Sequence, residues 1–375
     1  MKYMGSKRAM LLNGLGDILD REIYEAERFI DLFSGSGVVS VHVAEKYNTP
    51  VLAVDLQYYS SILINAVISR NRPLNIHRTS DNWISRAEKV YSRQSVPIID
   101  DYNAATILFL REWSNRQMNL PITQAYGGHY FSPEQAVWLD ALRQTLPTHK
   151  SSKLVALAAL IKVASQCAAS PGHTAQPLQP TPTALPFVKD AWTKNIIYRV
   201  KQEFACLSQR YSKQIGNAVV GDANVFIKHI KHGDLVFLDP PYSAVQYSRF
   251  YHVLETIAWG SCGDVFGVGR YPDRCKRPIS KYSLISEAYK AVEDLIVRLA
   301  HKKVRAIITF PDHQCSNGLS GNTIREISNR YFNIIENSVE SKFSTLGGTG
   351  DKMEKITRSA RLKAKELMLV LEPRV

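Results

Sequence analysis

The stretch LVFLDPPYSAVQY at 235–247 runs four apolar residues into an aspartate, two prolines and a tyrosine. Asp239 leaves what reads as a buried strand. Pro240 and Pro241 lock their own φ angles and contribute no N–H donors. The corner therefore offers a carboxylate and backbone carbonyls, all acceptors, in set directions. A planar NH₂ group brings two donors and suits such a site. Tyr242 adds an aromatic face for a planar base, a stack worth roughly 1–3 kcal/mol. The lone pair of an amine such as adenine N6 is delocalised into its ring and is a poor nucleophile. Two acceptors pulling on the amine hydrogens draw the nitrogen toward tetrahedral geometry and expose that lone pair to an electrophilic methyl in line with it. Positioning and electrostatic preorganisation carry such a reaction. Asp239 need not be a strong base, because the proton becomes acidic only as the new bond forms. No cysteine here follows a proline, the usual setting of the nucleophile in ring-carbon cytosine methylation. Taken alone, the four residues DPPY also describe a plain rigid turn.

A second group of residues suits a methyl donor. DLFSGSG at 31–37, containing Asp31, Phe33, Gly35 and Gly37, is a strand-to-helix turn of small residues. Glycines there let backbone N–H groups approach a ligand at a helix start. Residues 35–40 read GSGVVS, so the third glycine of GxGxxG is absent and a pyrophosphate seat is not indicated. S-adenosylmethionine (SAM), with an amino-acid end, needs less clearance. Asp55 ends the next apolar run and is placed to accept from two ribose hydroxyls. Asp222 ends a further run and is placed to meet the cofactor's exocyclic amine. The basic start KYMGSKR at 2–8 supplies Tyr3, Gly5 and Lys7 ahead of an amphipathic segment, with Lys7 a candidate partner for the methionine carboxylate.

The elements that must hold these residues are legible as short apolar runs. RFIDLF (28–33), PVLAVD (50–55), NAVVGD (217–222), DLVFLD (234–239) and VRAIITF (304–310) read as strands buried on both faces, with a helix over Val38–Ala44. FNIIENSVES (332–341) and LMLVLE (367–372) read as a closing antiparallel pair. The fold class is α/β, with acids and glycines converging at the carboxyl edge of a parallel sheet, where ligands bind in this architecture. The stretch from Asn71 to Gly216 is too long for a crossover and reads as an inserted, mostly helical domain. Helices are predicted over 103–117, 132–146, 151–169 and 194–213. The second opens with Ser132, Pro133 and Gln135, a capping signature. Five prolines in SPGHTAQPLQPTPTALP (170–186) argue against regular structure there. The domains are accordingly 1–70 with 215–375, discontinuous and catalytic, and an insertion over 71–214.

Among 375 residues, 47 Lys+Arg face 34 Asp+Glu, a net charge of +13. A surplus of that size points to a polyanionic partner. The five cysteines are scattered and odd in number, which argues against a disulfide framework or a zinc site. LVALAALIKVA is too short to span a bilayer and carries Lys162, so it reads as a buried helix. No membrane association is expected, and the chain reads as cytoplasmic, nucleoid-associated through DNA.

KYMGSK, DLFSGSG, VD, GDA and FLDPPY, in that order, resemble the amino-group DNA methyltransferases of the Dam type. The resemblance covers about 1–70 and 215–375. It implies SAM-dependent methylation of adenine N6, often beside a cognate restriction endonuclease, and a seven-stranded Rossmann-like sheet with one reversed strand. It further implies that Tyr3, Lys7, Phe33, Gly35, Asp55 and Asp222 line the cofactor pocket while Asp239, Pro240 and Tyr242 hold the base. The motifs YSRFYHVLET and SPGHTAQPLQP also resemble a subgroup, without a role that physics assigns. TFPDHQCSNGLSG departs from the shorter Ser/Tyr-rich turn expected after the fifth strand.

A target amine buried in duplex DNA must be swung out, at a cost of a few kcal/mol. QYSRFYH (246–252), with Tyr247 and Arg249, and GRYPDRCKRPISKY (269–282), with Arg270, Arg274, Lys276 and Arg277, are predicted to face the DNA. The insertion is expected to read sequence as a target-recognition domain. Methylation of RNA or of cytosine N4, and a noncatalytic subunit on the same fold, are the competing readings. Aspartate at 239 favours DNA adenine by analogy with the family.

Overall fold

The computed structural model describes residues 7–343 and 362–374. The fold is mixed α/β, with a seven-stranded, mostly parallel sheet. In chain order the strands are β1 (Arg28–Asp31), β2 (Val51–Asp55), β3 (Asn217–Val220), β4 (Asp234–Leu238), β5 (Val265–Phe266), β6 (Tyr271–Pro272), β7 (Arg305–Pro311), β8 (Phe332–Phe343) and β9 (Leu362–Pro373). Each of the five apolar runs becomes a strand, ending at or just before the acid, glycine or proline that follows it.

The chain packs as two compact units. One holds Lys7–Phe33, Asp222–Val245 and the residues from Ser280 onward. Its strands run in the order β1-β4-β7-β9-β8. β1, β4 and β7 are parallel, and β9 runs antiparallel to both β7 and β8. β9 is thus the reversed strand, and the 332–341 and 367–372 runs do form the closing antiparallel pair. All five residues of β4 are buried, as expected of a strand covered on both faces. Asp31 pairs with Phe237 in the β1–β4 register, and Leu238 with Ile308 in β4–β7. The carboxyl ends of these three strands therefore point to one edge, where Asp239 follows β4 and Thr309 is the residue after Ile308 in β7.

The other unit holds Ser34–Gly221 and Gln246–Ile279. β2 and β3 pair in parallel, with Asp55 opposite Val220. This confirms the strand placement that precedes Asp222. The four helices expected in the long stretch are present as Ala104–Asn115, Pro133–Gln144, Lys150–Cys167 and Ile196–Gln209. Ser132 and Gln135 form the reciprocal capping box. Lys150–Cys167 is buried on nearly all sides, and Lys162 on it is ion-paired with Glu203. Within this unit helix Tyr58–Ile68 packs against Lys150–Cys167.

Three further helices within 71–214 were not foreseen. His77–Tyr91 buries only Trp83, Ile84 and Ala87, too sparse an apolar stripe to stand out. Pro121–Tyr126 is held by the buried carboxylate of Asp140, which accepts from Ile122 N, Thr123 N and Thr123 Oγ1. Leu185–Trp192 begins inside the proline-rich loop. Pro186 lies in its first turn, where an N–H has no intrahelical partner to lose. Among the described residues no helix is long and apolar enough to cross a membrane.

Candidate active site

Beyond β4, Asp239 Oδ1 receives two contacts. Thr309 Oγ1 donates to it at 3.0 Å from the neighbouring strand β7. Lys7 Nζ lies 3.0 Å away and is also 2.5 Å from Glu366 Oε1 on β9. Both partners meet Oδ1, which leaves Oδ2 as the oxygen available to an incoming donor. The Asp239 side chain is 20% exposed and that of Lys7 only 6%, so this ammonium is nearly dry. Burial works against the Lys7 charge, yet Asp239 and Glu366 together hold its pKa above the ordinary lysine value. Burial likewise raises the Asp239 pKa, an effect that Lys7 opposes and Glu366 reinforces. Lys7, predicted to meet a cofactor carboxylate, here lies between two protein carboxylates.

The proline corner is braced from the loop that departs from the family pattern. Asn317 Nδ2 donates to Pro241 O at 2.9 Å and to Tyr282 O at 3.0 Å, while Asn317 Oδ1 accepts from Leu319 N. Asn317 is buried. Ser316 Oγ accepts from Ala244 N just beyond the corner. Tyr242 is half-buried, with its ring edge-on to Phe310 at 6.5 Å. Tyr282 then continues the chain of contacts. Its ring meets Phe33 edge-on at 4.9 Å, and its hydroxyl donates to Asn224 Oδ1 at 2.5 Å. The Asp222 carboxylate caps the short helix Ala223–Phe226 by accepting from Asn224 N and Val225 N. Asp31 is buried and accepts from Phe33 N.

In the other unit the glycine turn closes on Asp55. Gly35 and Gly37 have φ of +50° and +76°, the left-handed region that glycine tolerates. A Cβ on Gly37 would lie 2.4 Å from Ile64 Cγ1, so no side chain fits. Gly35 N donates to Asp55 Oδ2 and Gln57 N to Oδ1, each at 2.8 Å. Each oxygen keeps a further lone pair. Burial pushes the Asp55 carboxyl up to about 6, against the pull of these two amides. Glu255, from YSRFYHVLET, caps helix Tyr58–Ile68 by accepting from Tyr58 N and Tyr59 N. A turn of small residues with no room for a side chain at 37, beside a carboxylate with spare lone pairs, is compatible with the ribose and amino-acid portions of SAM.

Of the residues predicted to face DNA, Arg249 is exposed and Tyr247 half-buried. Tyr251, by contrast, is a core residue at 1% exposure. Arg274 and Lys276 are exposed, with Lys276 Nζ reaching Cys262 O at 3.4 Å. Arg270 donates to Ala125 O, Gln124 O and Asn115 Oδ1. Its guanidinium thus ties the 269–277 segment to the protein. Tyr3 lies outside the described residues.

Sequence reading missed Thr309, Glu366, Asn317, Tyr282 and Glu255. Only Thr309 left a local signal, as the one polar residue inside the apolar run AIITFP.

The chain is 27% identical over 284 residues to the type II methyltransferase M.FokI of Planomicrobium okeanokoites, covering 71% of this chain and 38% of that protein. It is 28% identical over 311 residues to the modification methylase LlaI of Lactococcus lactis subsp. lactis, covering 79% and 44%. With the type II methyltransferase M.NlaIII of Neisseria lactamica it shares 27% identity over 279 residues, 69% of each chain. The chain therefore spans less than half the length of the first two relatives. Residues 3–117 and 187–306 match the profile of the D12 class N6 adenine-specific DNA methyltransferases, and the chain belongs to that family.

Proposed function

We propose that this chain transfers a methyl group from SAM to N6 of an adenine swung out of a specific duplex DNA site. The observation that carries this reading is the corner at 239–242. A carboxylate held through Oδ1, next to two prolines that contribute no N–H donors, keeps its second oxygen for a donor group, as an amine requires. SAM supplies an electrophilic methyl. Asp239 Oδ2 and the Pro240 carbonyl polarise the amine, Tyr242 stacks on the ring, and Lys7 with Thr309 keeps Asp239 oriented. Asp55 takes ribose hydroxyls, the Gly35–Gly37 turn gives close backbone approach, and Phe33 and Asp222 serve the cofactor's adenine. The helical 71–214 segment reads the target sequence, and the basic residues Arg249, Arg274, Lys276 and Arg277 hold phosphates.

The names of the relatives, a type II methyltransferase and modification methylases, favour a place beside a cognate endonuclease in restriction-modification or phage defence. The test is transfer from labelled SAM to duplex DNA, single-stranded DNA and RNA, followed by nucleoside analysis. N6-methyladenine in duplex DNA supports the reading. Label only in RNA, only at cytosine N4, or SAM binding without transfer to any nucleic acid overturns it.

A further inference from the structure

The two motifs left without a role, residues 170–186 and YSRFYHVLET, meet around Tyr271. Tyr271 lies in β6, opposite Phe266 of β5. Its hydroxyl donates to Ala175 O at 2.6 Å, and its ring packs 4.8 Å from the buried ring of His252. His252 in turn faces the carbonyls of Arg249 at 3.0 Å and Gly269 at 2.8 Å. Thr174 fixes Phe250 O through both its amide and its hydroxyl. Tyr130 OH donates to Thr174 O and Gly269 O. Loop, ribbon and helix start are therefore bonded into one block, and that block holds the Tyr271 ring still.

Two guanidinium groups come to this one ring. The Arg249 Cζ is 4.9 Å and the Arg277 Cζ 5.3 Å from its centroid. The cations can lie no farther apart than the sum of those distances. Neither forms an ion pair among the described residues, and Arg277 makes one bond, from Nε to Pro272 O. Asp273, the carboxylate that Arg277 feels most directly, accepts from Cys275 N. A tyrosine face attracts each cation separately, but like charges held together repel. Burial and then the neighbouring Arg249 both lower the Arg277 pKa. The protein thus leaves two oriented cations without an ion-pair partner among the described residues, with the Asp273 carboxylate only partly offsetting the Arg277 charge.

We propose that Arg249 and Arg277, seated on Tyr271, form a clamp for the phosphodiester backbone of a nucleic-acid strand. The proposal rests on the nucleic-acid reading above and deepens it. Guanidinium forks match phosphate oxygens in pairs, and a fixed ring leaves little orientation to be lost on binding. The 170–186 loop acquires a function as the anchor of the platform, through Ala175.

The test is duplex binding by fluorescence anisotropy across a salt series, with SAM binding and thermal melting measured on the same preparations. The variants are Arg249→Gln, Arg277→Gln, the double variant, Tyr271→Phe and Tyr271→Leu. Each arginine variant should lower the slope of log K against log salt by about one, and the double by about two. Affinity should fall alike for target and unrelated duplexes. Tyr271→Phe, which keeps the ring face but loses the bond to Ala175 O, should retain the wild-type slope with weaker binding, while Tyr271→Leu should approach the double variant. Arginine variants that melt normally, bind SAM and show the wild-type slope overturn the clamp while leaving the methyltransferase reading intact. A wild-type protein that binds no duplex overturns both.

Discussion

Lys7 Nζ lies 3.0 Å from Asp239 Oδ1, and so the residue proposed to grip the target amine is tied to the start of the described chain. The same ammonium serves Glu366, which makes Lys7 the shared counter-ion of two carboxylates taken largely out of water. Removing it by Lys7→Met leaves both anions facing each other without compensation. Loss of one partner from a buried pair costs about 3–5 kcal/mol. Urea unfolding should show a loss of that order, and adding Glu366→Gln to Lys7→Met should recover part of it.

Asp239→Ala should reduce methyl transfer at least 100-fold, the scale of losing a preorganised polar contact to the reacting group. Cofactor binding should survive. Single-turnover transfer and calorimetric SAM titration separate the two effects. A near-wild-type rate would refute the proposed role of Asp239.

Asp55 should make cofactor binding depend on pH. Its carboxyl is raised by burial from 3.8 to about 6 in the folded protein. Its ionised form accepts the ribose hydroxyls, so SAM affinity should fall as pH drops through 6. Stability runs the other way. A raised folded pKa favours the protonated form, so the Asp55 contribution is full below 3.8 and is lost as pH rises through about 6. Asp55→Asn should flatten both dependences, read as SAM Kd and as the thermal midpoint of the ligand-free protein.

Asn317→Ala should destabilise the protein by roughly 1–3 kcal/mol, because two carbonyls lose their donor in a buried setting. With the Pro241 carbonyl released, kcat on duplex DNA should fall more than SAM affinity does. Asn317→Asp keeps the shape but removes the amide donor, and should show the same pattern. A variant as stable and active as wild type would show that the brace contributes nothing.

Short-range chemistry determined what could be read without coordinates. Apolar runs bounded by glycine, proline and acids become strands with polar ends, because burial on both faces excludes polar side chains. The DPPY corner and the glycine turn are local as well, since proline restricts its own φ and glycine permits its own. The closing antiparallel pair was also legible locally, FNIIENSVES as a segment mixing apolar and polar residues and LMLVLE as a short apolar run. The missing parts share a different property. Glu366 and Thr309 reach Lys7 and Asp239 across strands distant in sequence, and Asn317 braces a corner more than seventy residues upstream. No periodicity specifies which buried donor meets which acceptor. Only the tertiary structure could decide that Lys7 neutralises two protein carboxylates, that Arg270 bonds its own protein, and that Arg249 and Arg277 meet at Tyr271, because each outcome is set by where distant backbones come to rest.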